Sequence, residues 1–474
     1  MSTKSYRLRK FGAGYLPPTT NLVHDPDEVK LPHESGTRVL RPKASLIIQM
    51  AIMLAHLTKL GQICQYTLHM SASTARGKPA DQDLLLCGLQ LFPYELVDEG
   101  ADRVVEVAIE AYGANVLLPA VSYVPEQHPQ PSGRLPHNPR RETYRTDGGS
   151  YMRLDPKHFP AGLVPPPSEE SIDWEKGLSD LRRVANERGI SLVPWLPILN
   201  GRVATSGNPD LVVNASDEPV LGWLCAARPR VRAYAVALLE EVIELWNPRA
   251  VFIDRFRYPE WGPNGIVDAL GCRCTICREG PGGIVGRTQA VTGLVEELAK
   301  VCAIRGVSLW LDVWPPSYAR VLGQDLVQLS RYASWCKPFA YHRLGGGADL
   351  ARMIRSISND ARELQRIWRA LIAYFDFEEP TEFSVFEQEG FPPTWATQEF
   401  RRASQQLDPR CSLAAGIQLW QVGHDGAREA VAAALAAQPR GVIGYCYSWA
   451  SKEELEAAGA TLMPLLSQAP FSSW

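Results

Sequence analysis

From residue 84 onward the chain alternates between two textures. Short runs of apolar, β-branched and aromatic residues are followed by longer stretches whose apolar positions recur at three- and four-residue spacing. Residues 84–92 (LLLCGLQLF) read as a buried strand, and residues 98–112 then place Ala101, Val104, Val105, Ala108 and Ile109 on one helical face. Gly113 ends that helix, and residues 115–123 (NVLLPAVSY) form the next strand. The cycle returns with helix 175–188, stopped by Gly189, and strand 190–196 (ISLVPWL). Helix 231–246 is broken at Asn247-Pro248 and leads into strand 250–256 (AVFIDRF). Helix 288–304 leads into strand 307–313 (VSLWLDV), and helix 321–331 into strand 333–342. Strands 413–420 (LAAGIQLW) and 441–449 (GVIGYCYSW) bracket an Ala-rich helix at 425–438.

That makes eight strands. Continuous apolar strands alternating with helices imply a parallel sheet covered by helices. Eight such units predict a closed (β/α)8 barrel over residues 81–474, and no GxGxxG fingerprint follows any strand. Residues 367–377 compete as a ninth strand. Residues 124–172, rich in Pro and Gly, read as a long insertion after the second strand, on the side where barrel loops carry function. Residues 1–80 lack the strand–helix rhythm and are expected to be an N-terminal extension.

Composition narrows the partners. The 474 residues are 45% hydrophobic and 21% charged, with a net charge of −3, so no basic stripe awaits a phosphate backbone and nucleic acid is not an expected partner. The densest basic stretch, 134–145, lies among Pro, His and Asn and reads as a solvated loop. The run 44–60 is interrupted by Gln49, His56 and Lys59, too short and too polar for a membrane span. The start, MSTKSYRLRK, has no apolar leader core. With ten cysteines, these features predict reduced thiols and a cytoplasmic setting.

Chemistry in such barrels collects at the C-terminal strand ends. There the sequence places Asp254 on the fourth strand and Asp312 on the fifth, among Trp195, Arg257, Tyr258, Trp314, Tyr341, Gln418, Tyr445 and Trp449. Two carboxylates ringed by aromatic and hydrogen-bonding side chains are what glycoside cleavage uses. One attacks or stabilises the anomeric carbon while the other protonates the leaving oxygen. Trp195, Trp314, Tyr258 and Trp449 would be flat platforms for sugar rings, and Arg257 would orient Asp254 and hold it ionised. Glu260, Asp376 and Glu95 are alternative acids. The competing reading of Asp254 is an ion pair with Arg255 or Arg257, and of Asp312 a loop anchor. Lys337 and His342 read as packing or hydrogen-bonding residues. The expected activity is therefore an O-glycosyl hydrolase with a carbohydrate substrate and no required cofactor. Alternatives are a carbohydrate-binding barrel without catalysis, or a metal-dependent barrel enzyme.

The blocks 189–195 (GISLVPW), 221–225 (LGWLC), 252–259 (FIDRFRYP) and 441–445 (GVIGY) resemble bacterial glycosyl-hydrolase-like barrel proteins, a group distantly similar to α-amylases and α-galactosidases. The resemblance spans residues 84–460, and 252–259 is its most specific block. It implies a nucleophilic Asp at the end of the fourth strand, matched by Asp254. The amylase-like arrangement puts the acid on the fifth strand, at Asp312, where that group carries Glu. The galactosidase-like arrangement needs an Asp on the sixth strand, which residues 333–342 lack.

Beyond the fourth strand, Cys272, Cys274 and Cys277 fall within six residues. Three thiols can ligate a structural zinc, with Cys225 or a His as fourth ligand. Plain reduced cysteines are the alternative.

Overall fold

The computed structural model describes residues 84–127, 135–141, 145–260, 271–343, 350–355, 357–378 and 380–466. They belong to one compact unit, Gly77–Trp474. The expected extension at 1–80 and the run 44–60 lie outside the described residues.

Eight parallel strands form the centre: β1 (Leu86–Leu91), β2 (Val116–Pro119), β3 (Ser191–Leu192 and Trp195–Pro197), β4 (Ala250–Asp254), β5 (Ser308–Val313), β6 (Trp335–Pro338), β7 (Ser412–Gln418) and β8 (Gly441–Tyr445). The first half of β3 pairs with β2 and the second half with β4. The two ends of the sheet are thus one strand interrupted at Pro194, and the sheet closes into a (β/α)8 barrel. Across the interruption, Val193 N donates to Leu117 O at 3.0 Å and Phe252 N to Pro194 O at 2.9 Å. All eight expected strands are present, most of them shorter than the apolar runs. Ser122–Tyr123 leaves the barrel and pairs antiparallel with Gly149–Ser150. The run 367–377 is no strand. It lies largely in the helix Ala361–Phe375, which buries Leu364, Trp368, Leu371 and Phe375 at helical spacing. Its start is fixed by Asp360, whose side chain accepts from Glu363 N.

Helices cover the barrel because one face of each is apolar. Pro229–Trp246 buries Val231, Tyr234, Leu238, Leu239, Val242 and Trp246, each contributing roughly 1.5–3 kcal/mol of transfer energy. Gly113 and Gly189 end their helices at φ of 79° and 68°, a left-handed conformation that side chains resist. Inside the barrel, Gly416 makes room for the site. A Cβ there would sit 2.7 Å from Lys337 Cε and 2.9 Å from Phe339 Cα. No helix among the described residues is long and apolar enough to cross a membrane.

Candidate active site at the C-terminal strand ends

Strand register brings the two acids together. Ile253 on β4 pairs with Leu311 on β5, so the next residues, Asp254 and Asp312, occupy matching positions at the C-terminal ends of neighbouring strands. Side chains at matching positions of neighbouring strands share a face of the sheet. Asp254 is 8% exposed and Asp312 5%.

Asp254 is held as an acceptor. Trp195 Nε1 donates to its Oδ2 at 3.1 Å, and the backbone N–H of Arg255 donates to Oδ1. Arg255 turns the chain at φ 51°, a left-handed conformation uncommon outside glycine. Its guanidinium donates to Asn200 Oδ1 at 3.0 Å and to the Tyr123 hydroxyl at 3.4 Å. That fan of contacts ties the strand ends of β2, β3 and β4 around Asp254.

Asp312 stands in a different environment. Lys337 on β6 brings Nζ to 3.2 Å from Oδ1 and donates to Oδ2 at 3.3 Å. The same ammonium donates to Gln90 Oε1 at 2.7 Å and to the Tyr341 hydroxyl at 3.1 Å. Burial pushes the Asp312 carboxyl up to about 7, Lys337 opposes that rise, and Asp254 adds to it. Burial likewise lowers Lys337, against the pull of both acids. The two carboxyls thus differ in role: one accepts two N–H donors, and the other carries a proton near neutrality.

The other expected site residues have partners of their own. Arg257 forms a buried ion pair with Glu260, its guanidinium stacked between the rings of Trp223 and Trp314 at 4.9 and 5.0 Å. That pairing engages the Glu260 carboxyl and the Arg257 guanidinium with each other. Tyr258 is 2% exposed and points its hydroxyl at Cys225 and Cys277, 3.6 and 3.8 Å from their Sγ atoms. Gln418 spends its amide on the backbone, accepting from Arg343 N at 3.0 Å and donating to Trp420 O at 3.0 Å. Trp195, Trp314 and Trp449 are 1%, 2% and 4% exposed and pack as walls, not open platforms. Tyr341 and Tyr445 are only partly buried, stacked with centroids 5.6 Å apart. Asp376 caps an outer helix and pairs with Arg402 at 3.1 Å. Glu95 is fully buried, which raises its carboxyl well above the ordinary range. His342 is lowered to about 4 by burial, and next by Arg343. Gln90 was missed. A polar residue inside LLLCGLQLF was its only signal.

Cys272, Cys274 and Cys277 come together with Cys225, and the four Sγ atoms lie within 4.8 Å of one another.

No family model matches the chain, and no curated protein matches it. Among solved structures it is similar to glycoside hydrolases. One is the glycoside hydrolase domain of PgaB (BpsB) from Bordetella bronchiseptica, at 11% identity and TM-score 0.48, covering 81% of this chain and 99% of that one. Another is the Group IV chitinase of Ostrinia furnacalis, at 10% and 0.41, covering 80% and 99%. A third is α-L-fucosidase isoenzyme 2 of Paenibacillus thiaminolyticus, at 11% and 0.45, covering 80% of this chain and 49% of that one. No residue here takes its role from them.

Proposed function

We propose that this barrel is an O-glycoside hydrolase in which Asp254 is the nucleophile and Asp312 the general acid and base. The observation that carries the reading is the matched placement of two unlike carboxyls on β4 and β5, one an N–H acceptor and the other raised to about 7. In the first step an Asp254 oxygen bonds to the anomeric carbon as its bond to the leaving oxygen breaks, and Asp312 gives that oxygen its proton. In the second, Asp312 takes a proton from water as the water oxygen attacks the same carbon and releases Asp254. Neighbouring strands run about 4.8 Å apart. A nucleophilic Asp254 requires the two carboxyls to lie about 5–5.5 Å apart, the spacing of retention, whereas about 6.5–9.5 Å admits a water for inversion. Tyr341 and Tyr445 supply the partly exposed rings for a sugar face.

A panel of nitrophenyl glycosides, with the anomeric product followed by NMR, tests this directly. Hydrolysis with net retention supports it, and inversion rules out Asp254 as nucleophile.

A carbohydrate-binding barrel without turnover is the second reading. It is favoured by the ion pair that Lys337 makes with Asp312 and by the burial of both carboxyls. Saturable sugar binding with no hydrolysis across the panel would select it.

A further inference from the structure

The four cysteines lie apart from the carboxyl chemistry and come from two separate loops. Cys225 closes the hairpin Leu211–Val213 and Pro219–Leu224 that follows β3. Cys272, Cys274 and Cys277 belong to the segment that follows β4, with Cys274 at the N-terminus of the short helix Thr275–Glu279. All four are free thiols.

Their separations discriminate among the things four thiols can do. Cys225 Sγ lies 3.7 Å from Cys272, 3.8 Å from Cys274 and 3.5 Å from Cys277. A disulfide would need about 2.05 Å. A tetrahedron with metal–sulfur bonds of about 2.3 Å has edges of about 1.63 times that length, or about 3.8 Å. Sulfurs around a multi-iron cube spread wider, because the ligands reach different metals. The three separations from Cys225, with all four sulfurs within 4.8 Å of one another, match one ion held by four sulfurs.

The surroundings agree. Val213 N–H lies 3.5 Å from Cys272 Sγ as a donor, and the Tyr258 hydroxyl reaches Cys225 and Cys277. Donors to ligand sulfur are the usual outer partners of a thiolate site. The fully buried Arg287 interacts electrostatically with Cys272, Cys277 and Tyr258. A dication with four thiolates carries a net charge of −2, which that guanidinium offsets in part.

We infer that Cys225, Cys272, Cys274 and Cys277 bind a single zinc ion that staples the loop after β3 to the loop after β4. With four protein ligands the site is closed and structural. The backbone already stitches these loops, with Arg273 N donating to Val213 O at 2.7 Å and its guanidinium to Ala215 O at 2.8 Å. Through Tyr258 the staple braces its neighbour Arg257, which stacks on Trp314 directly beyond β5. The inference stands independently of the glycosidase reading.

The full chain, purified in reducing buffer without added metal, should carry about one zinc per molecule by elemental analysis. Cys225→Ser and Cys274→Ser should lower that content at least fivefold, while Cys302→Ser, at a buried cysteine outside the cluster, should leave it unchanged. Should the cluster variants fail to fold, the wild type still decides. A mercurial should release one equivalent of zinc to a chromogenic chelator, and cobalt exchange should give intense sulfur-to-cobalt charge-transfer absorption. Zinc below about a tenth of an equivalent, with no cobalt spectrum, overturns the site. One equivalent of iron in place of zinc overturns the metal assignment.

Discussion

The ammonium of Lys337 lies 3.2 Å from Asp312 Oδ1, with both side chains buried at the strand ends of β5 and β6. That contact holds the Asp312 carboxyl at about 7 when burial alone would carry it higher. The pair therefore sets the pH range over which Asp312 holds a proton to give. Replacing Lys337 by Met removes the opposing charge, and the descending limb of kcat/KM against pH should move to higher pH. A limb that stays in place would separate Asp312 from the titration. Breaking a buried pair costs about 3–5 kcal/mol, so the profile is to be measured well below the melting temperature of the variant.

The raised carboxyl also fixes how stability depends on pH. Between the ordinary aspartate value of 3.8 and about 7 the folded chain keeps a proton on Asp312 that the unfolded chain gives up. This contribution is full below pH 3.8 and is lost as pH rises through about 7. Denaturant titrations of the wild type should show that decline between about pH 4 and 7, and Asp312→Asn should flatten it. An equal slope in both proteins would contradict the assignment.

Trp195 acts on Asp254 through a single N–H. Trp195→Phe keeps a ring packed against Phe92 and Tyr123 but deletes the donor 3.1 Å from Oδ2. A hydrogen bond to a charged group is worth about 1.5–3 kcal/mol. kcat should fall roughly 10- to 100-fold with KM little changed, which steady-state kinetics on an aryl glycoside would read.

The barrel itself was legible because strand and helix differ in period. Most strand runs were largely apolar, the helices between them showed an apolar face, and Gly or Asn-Pro separated several of the pairs. The run 367–377 deceived because its central apolar residues are nearly contiguous, and the helical period shows only when Leu364 and Trp368 are counted with Leu371 and Phe375. The sequence also indicated which residues reach the strand ends, but not which way their side chains turn. Arg257 and Glu260 find each other three residues apart, and Gln418 satisfies backbone groups that no local pattern announces. The network of Lys337 with Gln90, 247 residues apart, has no local signature at all.

The most direct measurement compares the wild type with Asp254→Asn on the best glycoside of the panel, following hydrolysis and, by calorimetry, sugar binding. The nucleophile reading predicts loss of turnover by a factor of at least about 10³ with sugar binding and the folded circular dichroism spectrum retained. Equal hydrolysis by both proteins would contradict it.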